Sequence, residues 1–427
     1  MSKKLIFALF VVLALVAAAC GDDDSTTAEE PAEEPAEEPA DDTSTPSEEP
    51  ADEPMDEAMT WDIDAALAAD PDCADPVTGD PLIIGYAADF SDLGGFADIP
   101  ASQAAEHFVA QINCSGGVDG TPVEFVVRDI SGDPETTQRA ANELLDAGAA
   151  ALLGPPFPDF GFPLLQVTAG EVAVLFTAST EPALSDPAVL SYLVAFDDTQ
   201  QATAAAQFAL DQGWTTAVTF SAPGPYFGYN PEVFSDVFEA GGGTVSTDFI
   251  YVPIDDVDFS TQVNEIAAGD APDVIYSAML SFQLTALKGQ LEGAGVETNY
   301  ISTDAFEATG GYFGDNIEGI YHTTHAFPTE NESRWQTLDD SFAAATGAGN
   351  EAPTFAALAV DGIAVIIDAF QRSGTTDPQV LGEAIIDASG VVGITGVLTY
   401  DGSGTPTKPV YVHQVVDGAP SLAATIG

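Results

Sequence analysis

Apolar and polar positions follow two alternating periods between Pro81 and Phe196. Short apolar runs of strand length are separated by segments that carry one apolar face at helical spacing. The predicted strands are PLIIGYA, VEFVVRD, AALLGPP and VAVLFTAS. The predicted helices are ASQAAEHFVAQIN, PETTQRAANELLDAG and a segment that starts at Phe162. Strand and helix in alternation predict a mostly parallel sheet with helices on both faces.

The same alternation starts again after Phe196 and predicts a second sheet. Its predicted strands are TAVTFSA, TVSTDFIYV, PDVIYSAM and NYISTDAF. Its predicted helices are TQQATAAAQFALDQG, PEVFSDVFEAGG, FSTQVNEIAAG and FQLTALKGQLEGAG. A domain of about 345 residues is too large for one comfortable core and suits two. We therefore predict an α/β fold with two lobes.

The order of the segments predicts that the chain crosses between the lobes three times. The crossings are expected near residues 196–199, 321–327 and 398–401. The helix at 357–374 is expected to return to lobe 1, and KPVYVHQVVDG to be the last strand of lobe 2. The predicted boundaries are 61–79 for a lead-in segment, 80–196 and 327–398 for lobe 1, and 197–326 and 399–427 for lobe 2. Three crossings make a hinge, and ligands in such sheets bind at strand carboxyl ends that face the cleft.

The amino terminus carries a separate signal. Met-Ser-Lys-Lys precedes LIFALFVVLALVAAA, a charged start and an apolar run of the length that secretory signals have. The small residues Ala17–Ala19 before Cys20 resemble the lipobox of bacterial lipoproteins, in which the cysteine is acylated and becomes the mature amino terminus. We predict a lipoprotein signal peptide at 1–19 and a lipid on Cys20, with an ordinary secretory signal as the alternative. The expected location is extracytoplasmic, anchored by lipid to the outer face of the bacterial cell membrane.

Residues 20–60 are acidic and rich in proline. Seventeen acidic residues and no Lys or Arg occur between Gly21 and Thr60, including the near-repeat EEPAEEPAEEPADD. Such a segment cannot bury a core, so it is predicted to be a disordered tether that holds the following domain away from the membrane.

Acidic residues also dominate the rest of the chain, and the formal net charge is −61. Nucleic acid and anionic lipid headgroups are therefore poor partners. Such a charge suits salty surroundings, where screening lowers self-repulsion. Export to an oxidising compartment permits one disulfide between Cys73 and Cys114, and two separate thiols are the alternative.

Three segments carry a resemblance to a known family: GGVDGTPVEFVVRDISGDPETTQRAANEL, DFSTQVNEIAAGDAPDVIY and GITGVLTYDGSGTPTKPVYVHQVVDG. In their order and spacing, the domain from about Asp80 onward resembles the type I periplasmic binding proteins of the leucine/isoleucine/valine-binding family. The resemblance implies a Venus-flytrap fold that closes on a small solute and delivers it to an ABC permease. Because the sequence carries no convincing catalytic constellation, we predict no enzymatic activity and no cofactor. A sensory or surface receptor lipoprotein with the same fold is the alternative.

The resemblance also implies binding residues. In TASTEPAL, Ala178, Ser179 and Thr180 match the loop that hydrogen-bonds an amino acid, and in YISTDAF, Asp304 matches the acid that pairs with its α-ammonium group. Two plainer interpretations stay open. The hydroxyls of the first segment could cap a helix that starts near Pro182, and Asp304 could be one more solvated acid.

Other positions of the pocket follow from the same resemblance. Phe96 matches an aromatic residue that closes over the ligand, and Ser281 lies where the family often has a tyrosine. Either Tyr226 or Tyr229 is expected to face the cleft from the second lobe.

One loop departs from the family. Where the family has a run of serines that binds the carboxylate, this chain has PFPDFG at 156–161. Proline has no backbone donor, and Asp159 would repel a carboxylate unless it is turned away or protonated. The ligand could therefore be an unusual amino acid, an amide or a compound with no carboxylate at that point.

No catalytic or metal-binding pattern is evident in the sequence. His322 and His325 in YHTTHAF are three residues apart, which on a strand places them on opposite faces. We therefore predict no metal site.

Overall fold

Two open sheets form the framework of the computed structural model, which describes residues 62–253, 255–307, 315–326, 332–346 and 353–427. The predicted signal peptide, Cys20 and the acidic tether lie outside the described residues. The strands are β1 (Leu82–Ala88), β2 (Val123–Asp129), β3 (Ala151–Gly154), β4 (Ala173–Phe176), β5 (Ser191–Leu193), β6 (Thr216–Ser221), β7 (Thr244–Ile250), β8 (Val274–Ser277), β9 (Asn299–Ser302), β10 (Tyr321–Thr324), β11 (Val391–Val392), β12 (Val397–Leu398), β13 (Val410–Val416) and β14 (Ala419–Ile426).

The α-helices lie between these strands. They are α1 (Ile63–Leu67), α2 (Gly95–Cys114), α3 (Pro134–Asp146), α4 (Pro158–Thr168), α5 (Asp198–Asp211), α6 (Pro225–Ala240), α7 (Ser260–Ala268), α8 (Ser281–Gly293), α9 (Glu332–Thr346), α10 (Pro353–Ser373) and α11 (Pro378–Ile385). Helices α3 and α11 each begin with an aspartate side-chain cap followed by proline. Asp133, for example, accepts a hydrogen bond from the amide of Thr136 at 2.7 Å, and Pro134 follows it.

The first sheet has the order β2-β1-β3-β4-β5, and all its neighbouring strands are parallel. Helices α2 and α10 pack together on one face, in a core that includes Phe108 and Ile363. Leu144, Phe160 and Phe176 belong to the core on the other face. Because strands β3 and β4 are buried along their whole length, they read in the sequence as continuous apolar runs.

Helix α10 is the central helix of this lobe. Its stretch Thr354–Ser373 is long and apolar enough to cross a membrane, but 78% of its most apolar window is buried inside the protein. Among the described residues it is the one helix with this property. This degree of burial is typical of a core helix.

The second sheet has the order β14-β13-β10-β9-β8-β6-β7. Strands β6 to β10 run parallel, whereas β13 pairs antiparallel with both β10 and β14. Helices α5 and α6 pack against each other on this sheet. The two-lobe α/β fold class predicted from the sequence is confirmed.

Cys73 and Cys114 form a disulfide whose Cα atoms are 5.8 Å apart. The bond joins the segment before β1 to the last residue of α2. It therefore ties the lead-in segment to the first lobe.

Several predicted boundaries were wrong. Helix α2 begins six residues before the predicted ASQAAEHFVAQIN, and α6 begins at Pro225 instead of Pro231. Helix α4 begins at Pro158, before the predicted start at Phe162. In α2 and α6 a proline (Pro100, Pro231) lies inside the helix near its first turns, where it removes one backbone hydrogen bond without ending the helix.

The prediction that KPVYVHQVVDG is the last strand was also wrong. Strand β14 follows it and pairs with it from Val410↔Ile426 to Val416↔Ala419. Its sequence, APSLAATI, has few large apolar residues because it is an edge strand with one side in solvent.

Candidate functional site

Loops at the carboxyl ends of both sheets lie next to each other. The backbone amide of Asp198, at the start of α5, donates to the carbonyl of Thr180, which follows β4, at 2.8 Å. The hydroxyl of Thr354 on α10 donates to Glu307, which follows β9, at 3.4 Å. These contacts join the first lobe to the second along the edge where α/β proteins bind ligands.

Asp304 is the central acid of this region. It follows β9 in a short 3-10 helix and is only 8% exposed. Its Oδ1 accepts a hydrogen bond from the Tyr226 hydroxyl at 2.5 Å, and its Oδ2 lies 3.1 Å from Nε2 of His325. The interpretation of Asp304 as a solvated acid is therefore wrong.

The two candidate tyrosines occupy different positions. The Tyr226 hydroxyl contacts Asp304 and, at 2.7 Å, Oγ1 of Thr303, and it accepts a hydrogen bond from the amide of Ala305. The Tyr229 hydroxyl contacts Oγ1 of Thr199, next to the first crossing, at 3.0 Å. Tyr226 is thus the tyrosine that joins the Asp304 carboxylate.

The ionisation of this group follows from burial and hydrogen bonding. Burial acts to raise the pKa of Asp304, but hydrogen bonds from His325 and Tyr226 outweigh it and hold the pKa below its usual range. Burial lowers the pKa of His325. The His325 ring stacks on Phe196 with ring centroids 3.9 Å apart. Asp304 is therefore ionised at neutral pH and accepts from a neutral imidazole.

A second polar group lies beside the first crossing. Oδ1 of Asp198 accepts from the Thr180 hydroxyl and from Nε2 of Gln201, each at 2.7 Å. The Gln201 Oε1 accepts from the Thr323 hydroxyl at 3.0 Å and from the amide of Asp304 at 3.4 Å. Burial, with the charge of Asp304 added, raises the pKa of Asp198 well above its usual value. Gln201 thus connects the crossing to the loop that carries Asp304.

The loop at 177–180 is largely buried. Ser179 and Thr180 are 3% and 4% exposed, and Ala178 is half-buried. Because the Thr180 hydroxyl donates to Asp198, its side chain is already used within the protein. The alternative that this segment caps a helix near Pro182 is wrong, since Glu181 caps the 3-10 helix Pro182–Leu184.

Three phenylalanines of the first lobe lie close to one another. The Phe96 ring lies 5.8 Å from Phe355 and 6.1 Å from Phe157, measured between centroids. Phe157 comes from the PFPDFG loop and precedes the first residue of α4. In that loop Asp159 is exposed in the first turn of the helix, a favourable position for an acid. The loop therefore contributes an aromatic side chain to the group around Phe96.

The remaining predicted residue, Ser281, is the first residue of α8 and is buried.

Glu307 was not predicted at all. It accepts hydrogen bonds from the hydroxyls of Thr324 and Thr354, and burial raises its pKa to about 7. Asp198, Gln201 and His325 were also missed as site residues. Their one sequence signal is that each lies at or just after a predicted crossing.

The Lys and Arg side chains of the described residues form their ion pairs and hydrogen bonds with groups other than Asp304. Five of the six Lys and Arg residues in the described part of the chain form ion pairs, namely Arg128 and Arg139 with Glu143, Lys288 with Glu292, Arg334 with Asp64, and Arg372 with Asp368. The sixth, Lys408, donates to the hydroxyl of Thr395 at 2.5 Å.

Comparisons with known proteins agree with this architecture. A family model described as "Periplasmic binding protein" matches residues 81–420. The Leu/Ile/Val-binding protein homolog 1 of Brucella abortus is 22% identical over 316 residues, which are 73% of this chain and 83% of the relative.

Two solved structures show the same fold. An ABC transporter substrate-binding protein from Desulfitobacterium hafniense, in complex with Leu, has a TM-score of 0.68 and 22% identity, with 80% of this chain and 100% of that chain covered. An ABC transporter solute-binding protein from R. palustris, in complex with benzoate, has a TM-score of 0.65 and 18% identity over 81% and 96% of the two chains. Because the family model matches about four fifths of this chain, the chain belongs to the periplasmic binding protein family.

Proposed function

We propose that this protein is the solute-binding component of an ABC importer and that it captures an amino acid, or a related small solute with an amino or amide group, between its lobes. The observation that carries this proposal is the buried, ionised carboxylate of Asp304, which accepts from Tyr226 and His325 and forms no ion pair with a Lys or Arg among the described residues. A ligand ammonium would supply the missing positive charge in a place where little water competes.

The phenylalanines around Phe96 support an apolar portion in the same solute. Phe96, Phe157 and Phe355 form a group of neighbouring aromatic rings in the first lobe. Aromatic surfaces bind apolar side chains and also the faces of cations. The relatives named above bind leucine and benzoate, so a family member can hold either an aliphatic or an aromatic group. We infer a solute with one polar end at Asp304 and one apolar end at Phe96.

Transport would follow from closure of the lobes. A ligand shifts the equilibrium toward the closed state only as far as it makes better contacts in that state. Ala178, Ser179 and the backbone amide of Thr180 would contact the solute from lobe 1, while Asp304 and Tyr226 would hold it from lobe 2. The closed form would then dock on the permease.

A thermal-shift screen of the full chain in mild detergent tests the proposal. The solutes should include amino acids, amides, polyamines and small carboxylates, each at low and high salt. We expect a saturable rise in Tm with at least one solute that carries an amino or amide group. A response only to carboxylates without nitrogen would contradict the role of Asp304, and no response to any solute would favour the sensory alternative.

The lipid anchor is a separate part of the proposal. We propose that cleavage before Cys20 and acylation of its thiol attach the protein to the membrane, with residues 21–60 as the spacer. Mass spectrometry of the amino-terminal peptide should give a mass that includes acyl chains. A mature terminus elsewhere, with an unmodified Cys20, would contradict it.

A further inference from the structure

Two histidines lie opposite each other on neighbouring strands of the second sheet, apart from the residues that contact Asp304. In the antiparallel pair of β10 and β13, His322 is in register with His413. Side chains at directly opposed positions project to the same face of a sheet. Their rings are 5.3 Å apart between centroids and nearly perpendicular, at 84°. Both residues are buried, with 0% and 2% exposure.

The carboxylate of Glu307 completes a compact set of three ligands. One atom each from Glu307, His322 and His413 can be chosen so that all three lie within 4.8 Å of one another. In a tetrahedral zinc site the ligand atoms lie about 2 Å from the metal, so the three side chains need to approach one another by a little over an ångström.

Neighbouring groups already orient these ligands. Nδ1 of His322 lies 3.2 Å from the carbonyl of Thr323, which fits a tautomer with the proton on Nδ1 and the lone pair on Nε2. One carboxylate oxygen of Glu307 accepts from the hydroxyls of Thr324 and Thr354, and the other oxygen can serve a metal. Metal sites in proteins depend on such hydrogen bonds from neighbouring groups, because these bonds hold the ligating side chains in place.

We propose that Glu307, His322 and His413 bind a divalent transition metal ion, with Zn²⁺ as the natural occupant. Two imidazole nitrogens and one carboxylate oxygen form a ligand set that suits zinc and its first-row neighbours, whereas Ca²⁺ and Mg²⁺ prefer oxygen alone. Three protein ligands leave a fourth position for water. The high negative charge of the chain favours the approach of cations.

The position of this site gives it a consequence for the hinge. Glu307 is three residues beyond Asp304 and contacts Thr354 on α10 of the first lobe. A metal on Glu307 would hold this carboxylate in one orientation and so stabilise the contact between the lobes. The metal proposal rests on the geometry of the second sheet and does not depend on the solute proposed above.

Absorption spectroscopy with Co²⁺ tests the proposal on the full chain after treatment with a chelator. The titration should be done at high salt with an excess of Mg²⁺, because these conditions suppress non-specific binding to acidic groups. We expect one equivalent of Co²⁺ to give visible bands of a tetrahedral site, and Zn²⁺ to displace it.

Variants separate this site from adventitious binding. Glu307→Gln and His413→Gln should each weaken Co²⁺ binding by at least about tenfold. His107→Gln is the matched control, since His107 lies on α2 and contacts Ser341 in the first lobe; it should bind as the wild type does. Should His413→Gln fail to fold by circular dichroism, the isosteric Glu307→Gln decides alone. Absence of the visible bands in the wild type, or equal bands in Glu307→Gln, would overturn the proposal.

Discussion

Nε2 of His325 lies 3.1 Å from Oδ2 of Asp304, and the imidazole ring stacks on Phe196 from the first crossing. The pair links the predicted ligand-binding acid to the hinge. Both side chains are almost fully buried, so their hydrogen bond is protected from water. The charge state of Asp304 thus depends on a residue that the chain contributes from a crossing segment.

Replacement of His325 by Phe should keep the ring stack and remove the donor. Without that hydrogen bond the pKa of Asp304 rises, because burial then dominates. A group with a lowered pKa stays ionised as pH falls, so Asp304 of the wild type should stay available to an amino-bearing solute between about pH 8 and 6. In His325→Phe the loss of affinity should begin at a higher pH. Calorimetric titration across this range measures it, and identical pH profiles would contradict the role of His325.

Tyr226→Phe removes the hydroxyl that donates to Asp304 at 2.5 Å. This contact orients the Asp304 carboxylate and helps to keep it ionised, so solute affinity should fall, by about tenfold, when it is lost. Tyr229→Phe is the matched control, because the Tyr229 hydroxyl contacts Thr199 instead. Equal effects of the two substitutions on the dissociation constant would show that Tyr226 has no special relation to the ligand.

Loss of the disulfide should lower stability without affecting the site. Cys73 and Cys114 are separated by 41 residues, and the loop-entropy model gives a loss of about 4 kcal/mol for a loop of this length. Urea unfolding of the double variant Cys73→Ser, Cys114→Ser should therefore have a lower midpoint than the wild type. Solute affinity should stay the same, since Asp304 and Tyr226 lie in the second lobe. Superimposable unfolding curves would contradict this expectation.

Lys408 should make stability rise with pH in the alkaline range. Burial lowers its pKa to about 8 from an ordinary value of 10.5, although the charge of Asp361 opposes the shift. Between these values the unfolded chain binds a proton that the folded chain has lost, so the free energy of unfolding increases with pH. Relative to Lys408→Met, the wild type should gain about 3 kcal/mol across this window. Parallel pH–stability curves for the two proteins would contradict a buried, titrating lysine.

The periodic part of the fold could be predicted from the sequence. Strands β3 and β4 are buried on both faces, so their apolar runs were unambiguous. Helix starts were less predictable, because one helix was predicted to begin just after Pro100 and another at Pro231, whereas both prolines lie inside their helices. Strand β14 was missed because an edge strand needs few large apolar residues.

The site was predictable only where residues end apolar strands. Asp304 directly follows β9, and Ala178 to Thr180 come soon after β4, so sheet topology brings them to one edge. Contacts such as Gln201 with Thr323, or Glu307 with Thr354, join segments that are far apart in the chain. No local pattern encodes those distances, and the pairing of His322 with His413 depends on a register that only the folded sheet reveals.

Calorimetric titration of Asp304→Asn with the best solute from the thermal-shift screen tests the proposed binding site most sharply. Removal of one partner from a buried charge pair should weaken binding well over tenfold, or by about 2 kcal/mol or more. Asp211→Asn is the matched control, because Asp211 is an exposed acid at the end of α5 in the same lobe. We predict that Asp304→Asn loses affinity while Asp211→Asn keeps it; unchanged affinity in Asp304→Asn would remove Asp304 from the site and contradict the central claim.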